Sequence, residues 1–137
     1  MQVKKYVRYL FGIAFLVFVL NKFYLRPWVL DNNFYMVFKV IVLSIPNTIE
    51  AIFGTLIITA LLLRLRHYLN KTHSIKDFYI YLIAVSIASL YVISQELKWH
   101  NLGGNNVFDI NDVIASVIGL IGTYATINTF GFTEQLE

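Results

Sequence analysis

Residues 96–122 read Glu-Leu-Lys-Trp-His-Asn-Leu-Gly-Gly-Asn-Asn-Val-Phe-Asp-Ile-Asn-Asp-Val-Ile-Ala-Ser-Val-Ile-Gly-Leu-Ile-Gly. The stretch is a polar, Gly/Asn-rich loop set between two long apolar runs. Three of the few carboxylates of the chain, Glu96, Asp109 and Asp112, fall within it. The apolar run before it, 77–97, and the run after it, 113–130, are each long enough to cross a bilayer, which takes about 20 helical residues. A chain built from such runs with a polar loop between them reads as a polytopic membrane protein.

Composition agrees. Hydrophobic residues make up 58% of the 137 and charged residues only 14%, against roughly 25% charged in soluble domains. The mean hydropathy is +0.65. No Pro/Ser-rich linker or repeat divides the sequence, so a single domain over 1–137 is expected. The chain has no cysteine, which excludes disulfides, thiolate metal sites and a thiol nucleophile. The net charge of +3 is not arranged as the basic, aromatic-interleaved patch of a nucleic-acid binder. The partner that composition implies is the lipid bilayer.

Upstream, Lys4, Lys5 and Arg8 precede an apolar run that reaches Leu25, broken only by Asn21-Lys22. A signal peptide would need small residues at a cleavage site, and Phe23, Tyr24 and Leu25 stand there instead. The run reads as a first span over 6–25, closed at the interface by Arg26, Pro27 and Trp28. Asp31-Asn32-Asn33 is a turn signal. Phe34–Ile45 is too short to span and reads as an interfacial or re-entrant helix, with Lys39 snorkelling. The alternative is one long, Pro-kinked helix over Phe34–Leu63. Pro46-Asn47-Thr48 has the form of a helix start, with Thr48 as cap and Glu50 in the first turn, where the helix dipole favours an acid. The second span is then 48–64. The expected fold is all-α: an integral membrane four-helix bundle with an additional short interfacial or re-entrant helix.

Four spans put both termini on one side. Lys4, Lys5 and Arg8 share that side with Arg64, Arg66, Lys71 and Lys76, against Lys22, Arg26, Lys39 and Lys98 on the other. The positive-inside rule makes both termini cytoplasmic. Glu50, Glu96, Asp109 and Asp112 then collect at the outer surface, with Asn47, Gln95, His100, Asn105, Asn106 and Asn111 in the same layer. Ser86, Ser89, Ile93 and Glu96 follow helical spacing, a mildly polar stripe leading to the acid. Gly54 would admit a neighbouring backbone beside Glu50, and Ala115, Gly119 and Gly122 are small enough for close helix packing.

Each acid also has a plain structural reading. Asp112 is an N-cap and Asp109 a turn residue. Glu50 is a dipole partner, and Glu96 is neutralised by Lys98 or His100. No spacing of His67, His73 and His100 suggests zinc. The run 109–112 lacks the glycine of a calcium loop. Gly103-Gly104 lacks the Lys-Ser/Thr of a phosphate loop. Any metal would have to use Glu50, Glu96, Asp109 and Asp112. No cofactor and no catalytic residue is assigned.

The 96–122 stretch resembles the signature of the VanZ-like membrane protein family. In that pattern a Glu near a helix end is followed by a Gly-containing loop and an Asp pair three apart, and two glycines open the last helix. Glu96, Asp109, Asp112, Gly119 and Gly122 match, and Pro46–Glu50 resembles some members. Asn106 stands where the pattern often has Arg, Ser116 where it has Asn, and Trp99 where it often has Gln, so an Arg–Asp pair cannot form at Asn106. The resemblance implies a bacterial four-helix protein of the cytoplasmic membrane with an envelope role. The founding member of the family is linked to low-level resistance to the glycopeptide teicoplanin. The expected function is non-catalytic binding, by the outward acidic and Asn cluster (Glu50, Glu96, Asp109, Asp112, Asn47, Asn106), of a lipid-linked envelope precursor or a membrane protein partner. The alternatives are an enzyme acting on a lipid-linked phosphate or glycan, and a small transporter subunit.

Overall fold

The computed structural model describes residues 2–69, 75–97 and 109–134. Among them the chain is helical apart from short connections: α1 (Lys5–Leu20), one π-helical segment (Asn21–Leu25), α2 (Arg26–Asp31), α3 (Met36–Leu69), α4 (Asp77–Glu96) and α5 (Ile110–Phe130). The π segment joins α1 to α2 as one 27-residue rod. That rod, α3, α4 and α5 are each long and apolar enough to cross a membrane. The outer faces carry large apolar side chains, among them Ile13, Leu61, Leu90 and Ile118. A hydrocarbon solvent suits such a surface, and water does not.

The first rod runs past the expected end at Leu25 because the π segment changes the helix phase and sets Pro27 in the opening turn of α2, where a missing N–H is tolerated. Asn32 and Asn33 make the turn that follows, and Asn33 takes a left-handed φ of 51°.

Residues 34–45 do not form the separate interfacial helix expected of them. Residues 36–45 are the opening turns of α3, which runs unbroken through Pro46. At 34 residues α3 is about 51 Å long, well beyond a hydrocarbon core of about 30 Å. Proline cannot donate to the carbonyl four residues back, here Val42. Asn21 makes good the loss: its Nδ2 donates to the Val42 carbonyl at 3.0 Å, and the residue is wholly buried. A neighbouring helix thus supplies the donor that proline lacks, which is how proline persists inside membrane helices.

Helices α3, α4 and α5 form a three-sided core, α3 and α5 parallel to each other and α4 antiparallel to both. One apolar cluster joins Ala51, Ala88, Val92 and Leu120 from the three helices. A second, nearer the termini, holds Val7, Leu56, Leu63, Ile80, Tyr81, Ile127 and Phe132. At this end the termini are sewn together. Lys4 N donates to the Phe132 carbonyl at 3.1 Å and Glu134 N to the Gln2 carbonyl at 3.0 Å. Tyr6 Oη donates to the Gly131 carbonyl at 2.6 Å, and Phe132 N donates to Tyr81 Oη at 2.9 Å. Both termini therefore lie at one end of the bundle, together with the Arg66–Asp77 ion pair.

Helices α3 and α5 approach closely at Gly119. A Cβ on Gly119 would lie 2.5 Å from the Thr48 carbonyl oxygen and 3.0 Å from Ala51 Cβ. Gly54 makes only ordinary contact, 3.7 Å to Ala88 Cβ. Gly122, expected to pack a helix closely, points to the exposed side of α5, where a Cβ would meet nothing within 4 Å. Gly119→Ala is therefore expected to lower stability by about 1–3 kcal/mol, because backbone must move. Gly122→Ala should be neutral or stabilising by up to about 1 kcal/mol through helix propensity. Unfolding of the two variants in mixed micelles measures the contrast.

Candidate functional site

The end of the bundle away from the termini is built on the Ala51–Ala88–Val92–Leu120 cluster. One helical turn beyond the last apolar member on each helix, towards this end, the side chains turn polar. Four residues after Val92 comes Glu96, four before Leu120 comes Ser116, and four before Ala51 comes Asn47, with Glu50 beside it on α3. The polar layer lies directly on the apolar floor.

Glu96 ends the buried row of α4, which runs Ile80, Ala84, Ala88, Val92, Glu96 at four-residue spacing. It occupies a core position and is only 7% exposed. The serine stripe expected to lead to it serves its own helix instead. Ser86 Oγ donates to the Leu82 carbonyl and Ser89 Oγ to the Ser86 carbonyl, both at 2.8 Å.

Glu50 is half-buried in the middle of α3, not in a first turn. The dipole rationale for an acid there falls away with the helix start. Thr48 is likewise an interior residue rather than a cap. Its hydroxyl donates to the Ala115 carbonyl at 3.1 Å, pinning α3 to α5 beside Gly119.

The cap expected of Asp112 is supplied by Asp109 instead. Asp109 is the N-cap of α5, and its Oδ1 accepts from Asn111 N at 2.9 Å and Asn111 Nδ2 at 2.8 Å. Asp112 lies in the first turn, where its charge suits the helix dipole. Its Oδ1 accepts from Ser44 Oγ at 3.0 Å across the α3/α5 seam.

The four acids lie at the same end of the bundle: Glu96 ends α4, Asp109 and Asp112 open α5, and Glu50 lies on α3 six residues after Ser44, the partner of Asp112. Among the described residues the only ion pair is Arg66–Asp77, at the opposite end, so none of the four is salt-bridged there. Lys98, Trp99, His100, Asn105 and Asn106 lie outside the described residues, so the neutralisation expected from Lys98 or His100, and the candidate Asn106, fall there too. Two buried polar atoms in this layer have no hydrogen-bond partner, Ser116 Oγ and Gln95 Oε1. Among the described residues no three His, Asp or Glu side chains are placed to hold one metal ion.

Ser116 and Ser44 are the members that sequence reasoning did not single out as site residues. Ser116 stands one turn after Asp112, a spacing that could have flagged it. Nothing local could have flagged Ser44, because its partner lies on another helix. Compared with known proteins, the chain matches no family model, no curated protein and no solved structure.

The two roles of Asp109 can be separated. Asp109→Asn keeps the cap and removes the charge, so stability should stay within about 0.5 kcal/mol, whereas Asp109→Ala should cost about 1 kcal/mol. Equal losses in micelle unfolding would show that the charge, not the cap, stabilises α5.

Proposed function

We propose that this is a VanZ-like, non-catalytic membrane protein of the bacterial envelope, with both termini cytoplasmic. Its outward-facing acidic recess binds a cationic group on an envelope component or a partner protein. The observation that carries the reading is Glu96: a carboxylate buried at a core position, with Asp112, Glu50 and Asp109 at the same end of the bundle. Like charges gathered at the edge of a low-dielectric bundle are costly unless an opposite charge joins them. A cation entering the recess relieves that repulsion and can donate further hydrogen bonds to Asn47 Oδ1 and Ser116 Oγ. Ser44 fixes Asp112 and the Asn111 contacts fix Asp109, so two of the four acids are held before any ligand arrives.

The test uses the detergent-solubilised full chain and a decalysine peptide as probe, followed by calorimetric titration at low and high salt. Saturable binding that weakens with salt is expected. Glu96→Gln combined with Asp112→Asn should weaken it at least about tenfold, the scale of losing a close charge contact at an interface. Binding that is absent, or unchanged in the double variant, contradicts the reading. Because the chain has no cysteine, orientation can be read separately. Asn32→Cys should react with an impermeant maleimide in intact cells, and Glu134→Cys should be protected.

A further inference from the structure

The terminal end of the bundle has an opening that the acidic recess does not explain. α1 packs along α3 and reaches α5 only near its end, where the Tyr6 and Phe130 rings meet at 5.9 Å. Between α1 and α3 a slot of about 300 Å³ remains. Val7 and Phe11 form one wall, Ile57 and Ala60 the other, and Phe132 lies beneath. The Phe11–Phe53 ring pair, centroids 4.5 Å apart, stands at the inner end. Towards the terminal end the slot shares Val3, Ile57 and Ala60 with a wider hollow of about 590 Å³.

The mouth is basic. Arg8 borders the slot, and Arg64 and His67 border the hollow; all three are exposed. Among the described residues Arg66–Asp77 is the only ion pair, so neither Arg8 nor Arg64 is committed to a carboxylate. Glu134 faces a separate hollow beside Arg8 and Lys5 and makes no ion pair with either. Together the slot and the hollow follow α3 from Leu56 to His67, a rise of eleven residues or about 16 Å, roughly half of a hydrocarbon core of about 30 Å. An apolar slot one leaflet deep, opening at the membrane boundary between two free guanidiniums, matches one molecule in shape and charge.

We propose that the α1/α3 groove binds one anionic phospholipid, with its phosphate held by Arg8 and Arg64 and an acyl chain laid between α1 and α3. Guanidinium groups take phosphate oxygens in a bidentate fork, and basic pockets between membrane helices hold acidic headgroups. Free phosphate would use the mouth and leave the slot unfilled. A zwitterionic lipid would bring its own cation to a site already positively charged. The groove and the acidic recess lie at opposite ends of the bundle, so the two proposals fail independently.

The test is native mass spectrometry of the full chain released from micelles containing equal amounts of phosphatidylglycerol and phosphatidylcholine. One retained phosphatidylglycerol is expected, favoured roughly tenfold or more, the scale set by two basic side chains at an anionic surface. Arg8→Gln with Arg64→Gln should erase the preference. Ala60→Phe should reduce retention with every charge in place, and it keeps the proposal testable should the double variant misfold. Lys22→Gln, at the far end, should change nothing. Equal retention of the two lipids, full retention by the double variant, or displacement of the lipid by millimolar inorganic phosphate would each overturn the proposal.

Discussion

The carbonyl of Val42 sits inside a membrane helix four residues before a proline, and it must have a donor. In water the solvent would supply one. Asn21 and Val42 are buried from solvent, where an unmet carbonyl is costly, so the chain has to provide the donor itself. Asn21 does so from the first rod. That contact lets α3 continue through Pro46, and α3 is the helix on which each of the other spans packs. Were α3 to break at Pro46, Ser44 would leave Asp112, and the seam around Thr48 and Gly119 would lose its upper half.

The two ends of the bundle solve opposite problems. At the terminal end paired polar groups hold the closing turn, with Arg8 and Arg64 left free of carboxylates among the described residues. Backbone bridges Val3 to Thr133, Tyr6 and Tyr81 hold the 131–132 turn, and Arg66 pairs with Asp77. At the other end polar groups accumulate and are left open. Glu96 takes a place that the core pattern of α4 would give to an apolar side chain, and Ser116 Oγ is buried without a partner. Consistent core patterning favours folding, and departures from it concentrate where a protein works. The acidic end is therefore where the departures from core pattern point to binding, and the bonded turn at the terminal end is the frame that holds α4 and α5 in position.

Much of this was legible in the sequence, for a simple reason: a membrane span announces itself by the length of its apolar run. The expected spans 77–97 and 113–130 differ from α4 and α5 by at most a few residues at either end. That Glu50, Glu96, Asp109 and Asp112 lie at one end of the bundle followed from counting crossings. What was not legible depends on contacts between distant residues. Pro46-Asn47-Thr48 has every local mark of a helix start, and only Asn21, 25 positions earlier, overrides it. Reading that start placed Glu50 in a first turn and made Thr48 a cap, and both roles vanish once α3 is continuous. Gly119 and Gly122 look alike in sequence, yet one faces the Thr48 carbonyl and the other faces outward. Helical spacing says that they point in different directions, not which direction is inward.

The measurement that bears most directly on the account is a double-mutant cycle between Asn21 and Pro46, read as unfolding free energy in mixed micelles. Asn21→Leu in the parent chain strips the Val42 carbonyl of its donor. In a Pro46→Ala background residue 46 can donate that bond itself, so the same Asn21→Leu change should cost much less. A coupling energy of about 0.6–1.7 kcal/mol is expected, the range seen for hydrogen bonds between membrane helices. A coupling near zero, with Asn21→Leu equally costly in both backgrounds, would contradict the claim that Asn21 is what carries α3 through its proline.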